Sequence, residues 1–280
     1  MNTEIKTAIL EVLSTARIYK RRAARSWSNA LAAAAMVVVT SLISGPSFAA
    51  QPEVDLVPWP KSLSVLDGRM DLTAKSRIVY ADPSLEPLAE VFAQEISEAT
   101  CLELPVVQDE PAAGDLFLKL SSAASFTGEA YRVEVGKHAT AEAANYNAVA
   151  LATVTLLQAI TKRDGGYSLP RMLVLDEPEA SYRGFMVDVA RNYHSIKTLK
   201  EMVEMCRLYK VRYLQLHLTD DQAFTIPSKS YPQLTERSAY HYTLEELRDL
   251  VAYADQRGVT LIPEIDTPAH STSFTRSMPD

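Results

Sequence analysis

The chain has 280 residues, of which 47% are apolar and 22% are charged, so it holds enough apolar material for one large domain or two smaller ones. Its formal net charge is −7. Residues 1–50 contribute six basic and two acidic side chains, so the remainder carries 22 basic and 33 acidic ones. Such an acidic surface repels phosphate groups, which argues against nucleic acid or a membrane as a stable partner and favours a neutral ligand such as a sugar.

Residues 1–50 have the order of a secretory signal. Five basic residues lie between Arg17 and Arg25, an apolar run covers Ala30 to Ile43, and small residues follow as far as Ala50. The apolar run is shorter than the roughly 20 residues that a membrane-spanning helix needs, although an uncleaved anchor stays an alternative. We therefore predict that residues 1–50 direct export to the periplasm or the medium.

The two cysteines, Cys101 and Cys206, have neither a CxxC spacing nor the Cys/His spacing of a zinc site. Cys101 ends one predicted helix and Cys206 lies on the apolar face of another, so we expect two buried free thiols. No pattern in the chain indicates a bound cofactor.

Residues 52–178 are typical of a small α+β domain. Short β-type runs predict strands at 78–80, 116–120 and 131–135, and apolar residues at helical spacing predict helices over 84–100 and 141–161. This segment contains no convergent set of reactive side chains, so we expect it to be a packing or positioning domain.

Residues 179–280 alternate strand and helix patterns. Strands are predicted at 185–189, 213–218 and 259–262, and helices over 196–209 and 243–257 lie between them. Thr243 followed by Glu246 is a capping box that marks the start of the second helix. The alternation predicts parallel strands joined by right-handed crossovers.

Reactive side chains follow each of these three strands, in the stretches DVARNYH (188–194), HLTDDQ (217–222) and PEIDTPAH (263–270). Because the C-terminal strand ends of a parallel β/α barrel face one cavity, we expect a common site there. Carboxylates and arginine suit sugar hydroxyls, and Tyr193, Phe224 or Tyr240 could pack on the ring. A divalent metal is an alternative for such a cluster, although no HxH or HExxH spacing supports it.

At these strand ends the sequence resembles glycoside hydrolase family 20. YRGFMVDVARNYHSIKTLKEMVEMCRLYKVRYLQLHLTDDQAF resembles the first and second barrel strands of that family, and VTLIPEIDTPAH resembles the third. Residues 52–178 resemble the small domain that precedes its barrel. The implied fold class is α/β: a small α+β N-terminal domain (52–178) followed by the first three β/α units of a (β/α)8 TIM-type barrel (179–280).

The resemblance implies a β-N-acetylhexosaminidase, which removes terminal non-reducing N-acetylglucosamine or N-acetylgalactosamine from β-linked glycosides with retention. In its substrate-assisted mechanism the acetamido oxygen of the sugar attacks the anomeric carbon, an Asp holds the acetamido group, and the adjacent Glu protonates the leaving oxygen. By position, Arg191 matches the arginine that binds hydroxyls of the terminal sugar. Asp220, Asp266 and His270 match further residues of the substrate-binding network, and Arg183 matches a structural arginine.

Three positions depart from the family pattern. Ala269 replaces the usual Gly, Gln215 occupies a position where a His or another residue is frequent, and Ala223-Phe224 replaces the common Gly-Trp. The change at position 269 concerns the backbone, because glycine adopts a positive φ readily and alanine does not.

The catalytic Asp-Glu pair that the resemblance implies follows a fourth strand. No such pair occurs after His270, and Asp176-Glu177 precedes the first predicted barrel strand. We therefore expect the pair beyond Asp280, interpret the chain as the N-terminal portion of such an enzyme, and expect no turnover from this portion alone. Two alternatives remain: a non-catalytic carbohydrate-binding module and a metal-dependent barrel hydrolase.

Overall fold

The computed structural model describes residues 54–123, 126–163 and 165–278. The predicted export segment at 1–50 lies outside these ranges. Within them, no helix combines the length and the apolar character that crossing a membrane requires.

The larger of two sheets is mixed and contains eight strands within the described residues. The strands are β1 (Ser62–Leu72), β2 (Ile78–Tyr80), β3 (Val106–Gln108), β4 (Leu116–Leu120), β5 (Tyr131–Val135), β6 (Ala139–Ala143), β7 (Thr161–Arg163) and β8 (Gly166–Asp176). Their order in the sheet is β1-β8-β5-β6-β4-β2-β3, with β7 paired to β8. Strands β2, β3, β4 and β6 run parallel, whereas β1, β5 and β8 form antiparallel pairs.

Helices α1 (Glu86–Thr100) and α2 (Tyr146–Ala159) pack on this sheet. Helix α1 buries one apolar stripe that includes Leu88, Phe92 and Ile96, as its helical spacing predicts. It ends where Cys101 takes a left-handed φ of 62° and stays exposed. The prediction of two buried thiols is therefore wrong for Cys101, since a residue at this turn points away from the core. Cys206 is buried, which raises its pKa to about 11.

The predicted helix over 141–161 is too long at both ends. Residues Ala139–Ala143 form β6, which pairs with β4 on one side and β5 on the other. The three alanines of this strand are buried and alternate with the half-buried Thr140 and Glu142, and strand pairing outweighs the helix propensity of alanine. The helix begins only after Asn145, whose side chain accepts a hydrogen bond from the Ala148 amide, and Thr161–Arg163 belongs to β7.

In the described part of the chain the smaller sheet contains three parallel strands, β9 (Gly184–Asp188), β10 (Tyr213–His217) and β11 (Thr260–Glu264), with β10 in the centre. Helices α3 (Ile196–Leu208) and α5 (Leu244–Gln256) connect them, and the short helices α4 (Gln233–Glu236) and α6 (Thr272–Ser277) lie in the following loops. The three predicted β/α units are thus confirmed, and so is the capping box of Thr243 and Glu246. Buried side chains of β10 and of both long helices, among them Leu214, Leu199 and Leu250, form one apolar cluster.

Polar side chains join the two sheets. Arg183, the residue before β9, donates to Glu129 Oε2 at 2.7 Å and to the carbonyl of Lys210 at 3.0 Å. Arg207 of α3 makes two hydrogen bonds to Glu95 of α1, at 2.6 and 2.8 Å. These contacts fix the small sheet, whose strand ends carry the candidate site, on the larger domain.

Candidate active site

The candidate site is built on one row of the small sheet. Asp188, His217 and Glu264 are the last residues of β9, β10 and β11, and they lie in register with each other. Because side chains in register on neighbouring strands point to the same face, three reactive groups meet at the C-terminal edge. The loops after the strands then add Arg191, Asp220 and the segment 265–270.

His217 lies at the centre of the site and is buried. Its Nε2 atom is 3.0 Å from Asp220 Oδ2, and its Nδ1 atom is 2.7 Å from Glu264 Oε1. Gln215 lies two residues before His217 on the same face of β10, and its side-chain amide donates to the other carboxylate oxygen of Glu264. The departure at position 215 therefore supplies an amide donor to this carboxylate.

Asp220 is almost fully buried and faces several donors. Its Oδ1 atom accepts the Asp221 amide at 2.6 Å, and its Oδ2 atom forms an ion pair with Arg191. Burial alone raises the pKa of Asp220, but the Asp221 amide, His217 and Arg191 together outweigh it and hold this pKa below its ordinary value. Asp220 is thus an ionised acceptor at neutral pH.

Arg191 is held from two sides and still reaches solvent. Its Nη1 atom is 2.5 Å from Asp188 Oδ2, and its other terminal nitrogen pairs with Asp220. Asp188 also accepts the amides of Ala190 and Arg191, and these bonds outweigh its burial so that the pKa of Asp188 is lowered. The Arg191 side chain keeps 44% of its surface exposed, so the guanidinium can donate to a ligand above the strand ends.

The loop after β11 contributes Asp266 and His270. The Asp266 amide donates to the buried Thr219 hydroxyl at 3.1 Å, and the Asp266 carboxylate lies 3.9 Å from His217 Nδ1. His270 Nδ1 lies 3.3 Å from Arg191 Nη2 and 3.4 Å from Asp220 Oδ2.

The replacement of glycine by Ala269 has a local explanation. Ala269 is not among the described residues with a positive φ, whereas the next residue, His270, has a φ of 54°. His270, and not Ala269, therefore adopts the left-handed conformation, so the strained backbone belongs to a residue whose side chain is part of the site.

Aromatic side chains lie beside the carboxylates. Tyr193 is half-exposed and stacks on Tyr242 at a ring distance of 5.3 Å, with Tyr240 at 5.5 Å. Tyr240 donates to the Ala190 carbonyl at 2.7 Å, which ties this aromatic group to the Arg191 loop. Phe224 is buried and packs edge-on against Phe274 at 4.8 Å, so the prediction that it packs on a sugar ring is wrong.

Among the residues that the structure describes, two overlapping groups have metal-ligand spacing, Asp188/His217/Asp220 and His217/Glu264/Asp266. The donor set does not fit a divalent ion well, because Arg191 places a positive charge between Asp188 and Asp220. Both ring nitrogens of His217 already face carboxylates.

The four predicted site residues, Arg191, Asp220, Asp266 and His270, lie together in one network. Sequence reasoning placed Asp188, His217 and Glu264 at the strand ends but did not select them as site residues. Their shared position, as the last residue of each strand, is the signal that could have identified them. Only the register shows that they face one another.

Two family models match the chain in succession. Residues 53–177 match the model described as glycosyl hydrolase family 20, domain 2, and residues 181–280 match the model described as glycosyl hydrolase family 20, catalytic domain. The second match contains the whole candidate site.

The chain is 31% identical over 251 residues to a beta-hexosaminidase of Vibrio furnissii, which covers 81% of this chain and 40% of the relative. It is 30% identical over 243 residues to a beta-N-acetylhexosaminidase of Cellulomonas fimi, covering 82% and 49%. The solved GH20 exo beta-N-acetylglucosaminidase of Vibrio harveyi in complex with N-acetylglucosamine matches with a TM-score of 0.71 and 25% identity, covering 80% and 38%. The chain therefore spans less than half the length of these relatives.

Proposed function

Because the chain belongs to glycosyl hydrolase family 20, we propose that it contributes the sugar-binding edge of a β-N-acetylhexosaminidase. The proposed reaction is hydrolysis of terminal non-reducing N-acetyl-D-hexosamine residues in β-linked glycosides with retention. The names of the relatives from Vibrio furnissii and Cellulomonas fimi support this activity. The N-acetylglucosamine bound to the Vibrio harveyi structure supports the choice of sugar.

One observation in this chain carries the proposal: a half-exposed guanidinium is clamped between two carboxylates above the strand ends. Asp188 and Asp220 fix the plane of Arg191, so its outward N–H groups have a set direction. Sugar hydroxyls are good acceptors for such a planar fork, and a charge-assisted hydrogen bond is stronger than a neutral one.

The other residues have complementary roles in the proposed site. Asp266 and His270 border the Arg191 network and offer groups that exchange hydrogen bonds with hydroxyls. Tyr193 presents an exposed ring that can cover the apolar face of a pyranose. In the substrate-assisted reaction this edge binds and orients the terminal sugar, while proton transfer to the leaving oxygen belongs to the Asp-Glu pair that the resemblance implies.

We also propose that the protein acts outside the cytoplasm. The basic, apolar and small-residue order of residues 1–50 supports export, and the acidic remainder of the chain suits a neutral carbohydrate ligand. Residues 52–178 are proposed as the domain that carries the barrel segment 179–280.

The proposed function is tested in this chain by sugar binding, since the implied Asp-Glu pair is not among its residues after His270. We expect N-acetylglucosamine, titrated into the chain and followed by NMR, to shift the signals of residues at the strand ends. Arg191→Ala should weaken the affinity by at least about tenfold, because a buried acceptor and the sugar both lose a charged donor.

Arg248→Ala is the matched control, because Arg248 is an exposed arginine on the outer side of α5. It should bind the sugar as the unchanged chain does. Equal affinity in Arg191→Ala, or no binding by the unchanged chain, would contradict the proposed site.

A further inference from the structure

The hydrogen bonds of His217 constrain its protonation. Both ring nitrogens lie within hydrogen-bond distance of a carboxylate oxygen, at 3.0 Å for Asp220 and 2.7 Å for Glu264. An ionised carboxylate only accepts hydrogen bonds, and a neutral imidazole carries only one N–H. Both contacts can be hydrogen bonds to ionised carboxylates only if the ring is an imidazolium.

The charges around the ring favour that form. Asp188 faces it from β9, Glu264 and Asp266 from β11 and the loop after it, and Asp220 from the loop after β10. Against these four acids stand Arg191, which pairs with Asp188 and Asp220, and His270, whose ring lies 5.8 Å from that of His217. An imidazolium in the middle separates carboxylates that would otherwise repel each other.

The pKa directions agree with this geometry. Burial lowers the pKa of His217, but the hydrogen bonds with Asp220 and Glu264 outweigh it, so the pKa is raised above 6.5. Burial raises the pKa of Glu264, but donors from Gln215 and His217 outweigh it, so this pKa is lowered. The His217 imidazolium and the carboxylates of Asp220 and Glu264 therefore all keep their charges at neutral pH, and the ring stays held between the two carboxylates.

We infer that His217 is a positioning residue of the sugar site, in which its imidazolium holds Asp220 against Arg191 with one N–H and Glu264 at the end of β11 with the other. It does not reach the ligand itself, since its side chain is buried, whereas that of Arg191 is 44% exposed. The inference rests on the proposed function for its effect on sugar binding, but not for the state of the ring.

The consequence for binding follows from the orientation of Asp220. Its Oδ2 atom is shared by His217 and Arg191, and its Oδ1 atom is taken by the Asp221 amide. Without the N–H of His217, this buried carboxylate loses a charged donor and draws Arg191 inwards as its main counter-charge. Arg191 then offers fewer N–H groups to a sugar.

The first test needs no variant. In the chain labelled with ¹⁵N-histidine, we expect both ring nitrogens of His217 to have N–H-type shifts at about pH 7, above the ordinary histidine pKa of about 6.5. One N–H-type and one unprotonated nitrogen at that pH would overturn the inference, whether or not the chain binds sugar.

The second test measures the effect on the site. His217→Gln retains one N–H-bearing group but not two opposed donors, and we expect N-acetylglucosamine affinity to fall by at least about tenfold. His138→Gln, which removes a half-buried histidine from the turn between β5 and β6 of the other sheet, should change the affinity by less than about twofold. Unchanged affinity in a folded His217→Gln chain would overturn the positioning role. If the unchanged chain binds no sugar but His217 is doubly protonated, the proposed function fails and the assigned imidazolium stands.

Discussion

Lys210 Nζ donates to the Tyr131 hydroxyl at 2.6 Å and to the Thr155 hydroxyl at 2.8 Å, although all three residues are buried. Lys210 lies between helix α3 and strand β10, next to the small sheet, whereas Tyr131 is the first residue of β5 in the larger sheet. Asp176, at the end of β8, lies 3.7 Å from the ammonium group and supplies the opposite charge. A buried lysine thus fastens the segment that carries the candidate site to the neighbouring domain.

This lysine predicts a pH dependence of stability. Burial lowers the pKa of Lys210 from 10.5 to about 8, and Asp176 offsets only part of the effect. Below about pH 8 the lysine is charged in both states and the cost of burying its charge is fully present. Above that pH the folded state releases its proton first, so the contribution of Lys210 to the free energy of unfolding rises until about pH 10.5, by at most about 3 kcal/mol.

Tyr131 sets an upper limit to the pH range in which the effect of Lys210 on stability can be measured. Burial and Asp176 raise the pKa of Tyr131 above 10.0, so its contribution to stability is present below pH 10 and falls above it. Urea unfolding of the chain and of Lys210→Met should therefore be compared between pH 8 and 10. We expect the difference between the two to change with pH, and parallel profiles would contradict a depressed Lys210 pKa.

Gly258 predicts a steric requirement at the same junction. It follows α5 with a φ of +72°, and a Cβ atom added there would lie 2.8 Å from the Cβ atom of Ala150 in α2. Gly258→Ala should destabilise the chain by about 1–3 kcal/mol, because it adds both backbone strain and a clash between packed elements. Thermal or urea unfolding measures the loss.

A second variant separates the two causes of that loss. Ala150→Gly removes the opposing methyl group, so adding it to Gly258→Ala should recover the steric part and leave the strain of the left-handed backbone. The free energy of unfolding of the double variant is compared with the value obtained by adding the changes of the two single variants. If the measured value is no higher, the contact with Ala150 is not what disfavours a side chain at position 258.

The Arg207–Glu95 pair predicts a strong coupling between the two sheets. Arg207 is buried, and it also donates to the Thr153 hydroxyl and to the Ala150 carbonyl. Glu95→Gln should cost about 3 kcal/mol of unfolding free energy, because it leaves a buried guanidinium without its counter-charge. Replacing both residues by methionine should cost less than the two single replacements added together, and a double-mutant cycle with no coupling would contradict the paired role.

Much of this fold follows from local sequence signals. Helices α3 and α5 have apolar side chains at helical spacing, and Ser195 and Thr243 cap them. Strand β6 was missed because its alanine-rich sequence also suits a helix, and only its pairing partners decide between them. Strands β1 and β8 were missed as well. Most of β1 is exposed and its register shifts between Val65 and Arg69, so it lacks the regular alternation of buried and exposed positions that marks a strand.

In the candidate site, too, some features follow from local sequence and others depend on tertiary packing. Arg191, Asp220, Asp266 and His270 could be selected because each stands after a predicted strand and matches a family position. The role of His217 depends on which carboxylates lie in register beside it, and strand register is set by tertiary packing. The positive φ of His270 likewise depends on the conformation of the whole loop.

Arg191→Lys tests whether the shape of the guanidinium matters, or only its charge. In the structure two different nitrogens of Arg191 pair with Asp188 and Asp220, and a nitrogen also approaches His270. A lysine carries one ammonium group, which cannot contact both carboxylates with that geometry and also donate outwards.

We therefore expect Arg191→Lys to weaken N-acetylglucosamine binding nearly as much as Arg191→Ala, by at least about tenfold, although the net charge is unchanged. In an enzyme that contains this edge and turns over, the loss for Arg191→Ala should be about 2–4 kcal/mol of transition-state binding, read from kcat/KM. Arg248→Lys, an equivalent change on the exposed side of α5, controls for the substitution itself and should have no effect. Affinity close to that of the unchanged chain in Arg191→Lys would show that a single positive charge suffices, and the planar recognition of sugar hydroxyls would have to be abandoned.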